Sequence, residues 1–333
     1  MLRFVIRAFI AVLAALPLIA SAQVRERTIK FATQNPKGHP LVTGMEKFAE
    51  IVTAKSGGKI KVSLFPGGVL GGDAANVSAL QGGTLEVVVL NSGILASQVK
   101  EFAVFDFPFM FANAREADAV VDGPFGRMML AKLDDRGIHG LAYWELGFRN
   151  ITNSRRPIRT VEGIAGLKLR VIPNTINVDW VSALGANPTP MAFPEVYSGL
   201  EQKAIDGQEN PVTVILANKF YEVQKYLAIT NHQYNPQTVI ISRKLWDTLS
   251  NDEKKILADA ALEAGRYQRQ VSREQAGRAL EDLKKNGMEV TELGSAELEK
   301  FRAKMKPVIA KHSAIVGPEV VDALTAELAK LRK

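Results

Sequence analysis

Apolar positions follow two alternating rhythms along this chain, a period of two in short runs and a period near 3.6 in longer ones. Residues 28–33 (TIKFAT) predict a buried strand. Residues 39–55 predict a helix opened by His39-Pro40, with Leu41, Met45, Phe48, Ala49 and Val52 on one face and Gly57-Gly58 just past its end. Residues 59–65 (KIKVSLF) alternate as a strand does. Asp73 is the expected N-cap of a helix running to Gln81 and stopped by Gly82-Gly83, and 86–90 (EVVVL) read as another buried strand. Strand, helix, strand, helix, strand in about sixty residues implies parallel pairing with helices on both faces of the sheet. In such sheets the ligand lies outside the carboxyl ends of the strands. Those ends are 34–38, 66–72 and 91–93, all rich in Gly, Pro and Asn.

The rhythm recurs further on. Residues 138–144 and 168–171 predict strands, and 175–184, 194–202 and 211–220 predict helices. Residues 226–231 and 238–242 read as two strands joined by 232–237. From 251 to 285 one helical period runs without proline, over ~50 Å at ~1.5 Å per residue, with Gly265 and Gly277 as places where it could bend. A strand near 288–291 and helices at 298–312 and 318–331 complete the chain. No internal repeat or flexible linker interrupts it. The expected fold is α/β: two doubly wound lobes joined by a hinge, with the long helix spanning both. Lobe I takes residues 23–146 and 236–275; lobe II takes 147–235 and 276–333.

The N-terminus bears on the compartment. Arg3 and Arg7 precede an apolar stretch at 8–20 and then Ala20-Ser21-Ala22, the pattern of a signal peptide cleaved after Ala22. The apolar stretch is shorter than the ~20 residues a membrane helix needs. Residues 1–22 are therefore expected to direct export to the periplasm. The chain has no cysteine, which removes disulfides, thiolate nucleophiles and Cys-ligated metals together. The formal charge is +7, of which Arg3 and Arg7 carry two, and no Lys/Arg block interleaves with aromatics, so a nucleic-acid platform is not expected. The basic residues at 328–333 read as the solvated end of a helix. His39, His139, His232 and His312 never share metal-ligand spacing, and HExxH, GxSxG, GxxxxGK[ST] and GxGxxG are all missing. Gly67-Gly68-Val69-Leu70-Gly71-Gly72 lacks the Lys-Ser/Thr of a phosphate loop and reads as tight turns. No catalytic constellation, metal or cofactor is expected.

The positive signal lies between Tyr143 and Tyr234, in GFRNITN (147–153), GLKLRV (166–171), LGANPTPMAF (184–193), EVY (195–197), DGQENP (206–211) and KFYEVQKY (219–226). These blocks, in this order, resemble the periplasmic binding proteins of TRAP transporters, the DctP family. The resemblance covers essentially all of residues 23–333, weakening after Asn251. It implies that Arg170, at the end of the GLKLRV strand, pairs in bidentate fashion with a substrate carboxylate, a geometry the guanidinium fork suits. It further implies that Arg149 is a second carboxylate contact, that Asn210 completes the carboxylate's hydrogen bonds and that Phe193 packs on the ligand. Each has a plainer alternative. Arg170 could be an end-of-strand arginine, Arg149 could pair structurally with Glu145 or Glu209, Asn210 could cap the next helix, and Phe193 could be core.

First-lobe residues face the ligand's other end. Gln34 and Asn91 close two strands at the cleft, and Gln237 lies on the hinge side; Lys37 and His39 are nearby. Members resembling sialate binders carry acids where this chain has Gly72 and Asn91, which argues against sialate. The resulting pocket reads as polar and uncharged to basic, suited to a hydroxylated monocarboxylate such as a hexuronate. C4-dicarboxylates and aromatic acids stay open, as does a ligand sensor feeding a receptor. The chain is expected to be a non-enzymatic monomer, and the resemblance implies small and large integral membrane subunits as its partners.

Overall fold

The computed structural model describes residues 24–332, so the signal-peptide expectation lies outside the described residues. In chain order the elements are β1 (Arg27–Ala32), α1 (Pro40–Lys55), β2 (Ile60–Phe65), α2 (Asp73–Gly82), β3 (Val87–Asn91), α3 (Ala114–Asp122), α4 (Pro124–Ala131) and β4 (Ile138–Asn153). They continue as β5 (Lys168–Val171), α5 (Thr175–Ala183), β6 (Asn187–Pro190), α6 (Val196–Glu201), β7 (Gly207–Asn210), α7 (Val212–Ala217) and β8 (Tyr226–Ser242). The last are α8 (Arg243–Trp246), α9 (Asn251–Lys285), β9 (Glu289–Glu292), α10 (Ser295–Val316) and α11 (Pro318–Leu331). No helix among the described residues is long and apolar enough to cross a membrane.

The nine strands among the described residues join one sheet in the order β2-β1-β3-β8-β4-β7-β5-β6, with β9 beside β8. The parallel pairing expected of the first three strands is present, β1 lying between β2 and β3. The α/β character is as expected, but the two halves share a continuous sheet because β4 and β8 pair through both. Residues 226–231 and 238–242, expected as two strands, are one, and the strand expected to stop at Trp144 runs on to Asn153. Composition misled here: the joining residues are polar, yet Arg149, Asn150, His232, Gln233 and Asn235 are buried and hydrogen-bonded across the ladder.

The ladder is not uniform. Its register shifts between Gly140 and Ala142 and, nearer the cleft, at two further bulges, between Glu145 and Gly147 and between Arg149 and Ile151. At the first of these two Gly147 takes φ 116°, a conformation that favours glycine, and Pro236 stands opposite Glu145, where a missing N–H does least harm. At the second, Asn150 Oδ1 accepts from the backbone N–H groups of Thr230 (2.9 Å) and Asn231 (3.0 Å), replacing ladder bonds lost at the bulge.

Alternation along the strands sends residues to both faces. Val88, Leu90, Ile138, Ile240, Leu169 and Val171 pack beneath α3, α4, α5, α10 and α11, with Trp180 and Phe301 in that layer. Val87, Val89, Phe31, Ile241 and Trp144 face α1 and the first half of α9. The end of α9, through Leu280 and Leu283, reaches a third cluster with Leu227, Val196 and Ile215.

Helix α9 therefore spans both halves, as its uninterrupted period predicts. Its start is fixed by a capping box, with Ser250 accepting from Glu253 N–H and the Glu253 carboxylate from Ser250 N–H. Gly265 marks a close approach rather than a bend: a Cβ there would lie 2.7 Å from Trp144 Cδ1. Across the same contact, a Cβ on Gly44 of α1 would lie 2.8 Å from Gln268. A smaller correction concerns α2, whose N-cap is Gly72, with Asp73 as its first residue. Sequence rhythm also passed over α3, α4, β6 and β7; the last two are four residues each and polar.

Candidate functional site

A cavity of about 370 Å³ opens where the two halves of the sheet meet. From the first half it is lined by Thr33, Gln34 and Asn35 after β1, by the first turn of α2, and by Asn91 at the end of β3. From the second half come Arg149 of β4, Arg170 of β5, Phe193 and Asn210 of β7; Gln237 of β8 lies between. All seven residues singled out in the sequence thus share one cavity, as do the strand ends at 34–38, 66–72 and 91–93 in part. Lys37 is not among the lining residues, and His39 instead caps α1, its Nδ1 accepting from Leu41 N–H at 3.2 Å.

Arg170 is 3% exposed, and its only side-chain hydrogen bond among the described residues runs from Nε to the Met191 carbonyl at 2.9 Å. That bond aims the fork. Nη1 and Nη2 keep their N–H groups while no acid pairs with them among the described residues. Phe193 sits 5.7 Å from the guanidinium carbon, in cation–π range. Burial first, and then the neighbouring Arg149 charge, push the Arg170 pKa down to about 10, against attraction from Glu209, Asp73 and Glu195. The guanidinium stays charged at neutral pH, but at a cost that an anion would relieve.

Arg149 is built differently. Its guanidinium grips Glu209 through Nε and Nη2, the latter 2.7 Å from Oε1, and also donates from Nη2 to the Glu209 carbonyl. Nη1 donates to Asn235 Oδ1 at 2.7 Å. Four of the five N–H groups of an arginine are thereby used, leaving one on Nη1. The structural pairing with Glu209 is the one the structure contains, while Arg149 also borders the cavity. Burial alone would raise the Glu209 pKa, but Arg149 and His232 outweigh it and hold the carboxylate at about 2. His232 Nε2 lies 3.3 Å from Glu209 and its Nδ1 2.8 Å from Thr230 Oγ1, with the ring packed against Trp180 and Phe301.

Asn91 is likewise committed: Nδ2 donates to Asn235 Oδ1 (2.7 Å), and Oδ1 accepts from Gly93 N–H (2.7 Å). Asn210 Nδ2 donates to Gln208 at 2.5 Å, leaving its carbonyl oxygen and second hydrogen for the cavity. It does not cap α7, whose N-cap is Pro211.

The first-half wall has the opposite character. Gln34 Nε2 donates to the Gly71 carbonyl at 2.9 Å, which turns its Oε1 away without a partner. Gly68, at φ 69°, makes that possible, since a Cβ there would lie 2.8 Å from Gln34 Oε1. Thr33 Oγ1, Asn35 Oδ1, Asp73 Oδ1 and Gln237 Nε2 are also buried with no partner, and all five residues line the cavity. Buried polar atoms are ordinarily satisfied, so five orphans on residues that line one cavity, mostly acceptors, mark polar capacity that the protein itself leaves unfilled there. Thr33, Asn35 and Asp73 were not singled out from sequence. Asn35 lies in the flagged strand end at 34–38 and Thr33 just before it, and Asp73, one residue past a flagged loop, was taken for a cap. Asp73 also makes the pocket less basic than expected. Among the described residues no group of His, Asp and Glu is arranged to hold a metal ion.

Comparison with known proteins agrees with this architecture. The sequence profile of the bacterial extracellular solute-binding proteins, family 7 (DctP), matches residues 31–314. The 2,3-diketo-L-gulonate-binding periplasmic protein of Escherichia coli K12 is 36% identical over 282 residues, 85% of each chain. The sugar acid binding protein of Advenella mimigardefordensis, solved in complex with galactonate, is 41% identical with a TM-score of 0.91, covering 92% of this chain and 99% of that one. A TRAP periplasmic solute-binding protein of Ochrobactrum anthropi, 55% identical with a TM-score of 0.83 over 93% of this chain and 97% of that one, was solved with a C-terminus bound in its ligand-binding pocket. The chain therefore belongs to family 7 of the bacterial extracellular solute-binding proteins, the DctP-type components of TRAP transporters, which bind solutes and are not enzymes.

Proposed function

We propose that this protein captures a hydroxylated monocarboxylate, a sugar acid, in the periplasm and delivers it to the small and large membrane subunits of its transporter. The observation that carries this reading is the buried fork of Arg170, with Nη1 and Nη2 unopposed by any acid among the described residues, in one cavity with residues that carry unpartnered acceptors. The ligand carboxylate meets Nη1 and Nη2 end-on, since Nε is held by Met191. Asn210 and the remaining Nη1 hydrogen of Arg149 add single bonds, and Phe193 covers the carbon chain. Gln34, Thr33 and Asn35 accept from the ligand hydroxyls, Gln237 donates to one, and Asn91 acts at one remove by fixing Asn235. Relatives that bind galactonate and diketogulonate support this class of ligand.

Residues 1–22 export the chain and are removed, and the mature protein works as a monomer. The lobes divide at 146/147, 235/236 and 275/276, the first two of which fall at the register shift between the pairs Glu145–Pro236 and Gly147–Asn235. Closure brings the two walls onto one ligand, and only the closed form touches both ends of it. Titration calorimetry with a panel of sugar acids tests the reading. Arg170→Ala should weaken binding by roughly 2–5 kcal/mol, and Arg170→Lys should bind poorly because an ammonium cannot offer the fork. Near-native affinity in both variants overturns it.

A further inference from the structure

One buried charge outside the cavity has no part in the capture described so far. Asp106 ends the 3₁₀ turn at 100–106 and is fully buried, yet among the described residues no cation pairs with it. Its carboxylate accepts from three amides instead. Asn174 Nδ2 (3.1 Å) and Asn177 Nδ2 (2.9 Å), at the start of α5, donate to Oδ2, and Asn235 Nδ2 of β8 (3.4 Å) donates to Oδ1. The fit is close, since a Cβ on Gly93 would collide with the carboxylate. An amide can be turned end for end, so what matters is what fixes each one. Asn177 Oδ1 accepts from the indole N–H of Trp180 at 3.0 Å, a group that can only donate. Asn235 Oδ1 accepts from Arg149 Nη1 and Asn91 Nδ2, both at 2.7 Å. Arginine only donates, and Asn91 is itself fixed by the Gly93 N–H on its Oδ1. Every chain of donors therefore runs toward Asp106, and only a group that accepts at both oxygens can end them. Burial pushes the Asp106 pKa up to about 6, against the hydrogen bonds from Asn177 and Asn174 and the Arg149 charge, with Glu209 adding to the rise. At pH 7.5 the group is ionised and accepts at both oxygens.

We infer that Asp106 is a positioning residue for ligand capture: without lining the cavity, it fixes the orientation of Asn235, and through it the places of Arg149 and Asn91 on the two sides of the cavity. This rests on the sugar-acid reading, in which Arg149 meets the ligand carboxylate, and deepens it. An amide in place of the carboxylate would turn one of its ends into a donor. Facing α5, that NH2 meets the NH2 groups of Asn174 and Asn177. Facing β8, it meets the NH2 of Asn235, and turning Asn235 over only moves the conflict to Arg149 and Asn91. No arrangement satisfies all of them. Size and shape are unchanged, so the fault is one of hydrogen-bond direction and not of packing. Exchanging the two groups restores the direction. A carboxylate at 235 accepts from Arg149, from Asn91 and from the amide at 106, whose own oxygen accepts from Asn174 and Asn177.

Calorimetry at pH 7.5 with D-galactonate, and with succinate beside it, provides the test, because Arg149 meets a carboxylate that both acids carry. Asp106→Asn should raise the Kd by about tenfold or more. The double exchange, Asp106→Asn with Asn235→Asp, should recover at least about fivefold of that loss. A role in stability alone would lower the urea midpoint and leave the Kd of the folded protein where it was. A Kd within about twofold of the original in Asp106→Asn therefore overturns the inference and leaves the Arg170 reading intact. So does a double exchange that folds and recovers nothing. If Asp106→Asn fails to fold, the double exchange decides alone: a folded protein within about fivefold of the original Kd supports the inference, and a second failure to fold or to bind overturns it. An intact protein that binds only succinate overturns the sugar-acid reading, and the same variants then decide with succinate. One that binds neither acid overturns both.

Discussion

The two walls of the cavity are made of similar residue types and are built in opposite ways. On the side of β4, β5 and β7 the polar groups are spent on each other and on β8, Arg149 on Glu209 and Asn235 and Glu209 on His232, and Asn91 of β3 joins the same network through Asn235. Arg170 is the charge held back, by one side-chain bond to a carbonyl. On the side of β1 and α2, the loose ends of Thr33, Gln34, Asn35 and Asp73 all remain. A network satisfied within itself fixes the position of the charged fork before any ligand arrives. A wall of unsatisfied acceptors has no such rigidity but leaves the choice of partner to the ligand. Within one family, the first kind of wall suits a feature every ligand shares, and the second a feature that changes from ligand to ligand.

The contrast can be broken most severely at its fixed side. Glu209→Gln leaves the Arg149 charge buried without compensation, and urea unfolding should show a loss of about 3–5 kcal/mol. A loss under ~1 kcal/mol would mean the network does not hold that wall. Arg170→Met should do the reverse: it abolishes binding yet leaves stability equal or higher by about 1 kcal/mol, because it removes a buried charge that lacks a partner. A clear drop in melting temperature would show that Arg170 supports the fold. On the open side, Gln34→Leu removes one orphaned acceptor. It should leave stability within ~1 kcal/mol and weaken a sugar acid by about 1 kcal/mol, roughly fivefold in Kd.

The smallest effect concerns acid. Burial pushes His39, the cap beneath the open wall, down to about 3, below the ordinary value of 6.5. The unfolded chain therefore takes up this proton first, and stability falls as pH drops below about 6.5 toward 3, by up to about 1 kcal/mol over the first unit. His39→Asn keeps a capping oxygen and should flatten that limb of the stability curve; an unchanged limb would assign it to other groups. Glu209, held at about 2, keeps the opposite wall ionised throughout this range.

Much of this was legible in the residues. Apolar period alone placed α1, α9 and α11 at their ends, because each buries a continuous face and carries a proline or cap at its start. The strand ends at the cleft were readable for a similar reason, since Gly, Pro and Asn cluster where the chain must turn. Periodicity failed where burial is polar. The middle of β8, with His232, Gln233, Asn235 and Gln237 nearly inaccessible, carries no hydrophobic signature, and its pairing is visible only once β4 lies beside it. Asp73 escaped for a different reason: an acid at a helix start has an ordinary local role, and nothing nearby in sequence says that Gly72 has taken it.

The paired ribbon of β4 and β8 has a mechanical consequence. Two free bodies approach each other with six independent coordinates, three of translation and three of rotation. Here the bodies are already stitched along adjacent strands that pass from one into the other, so sliding and separation are forbidden, and what remains is chiefly flexing and twisting of a narrow strip at its irregular points. Most of the disorder that capture must extinguish was surrendered when the chain folded, and a molecule as small as a sugar acid has correspondingly less left to organise.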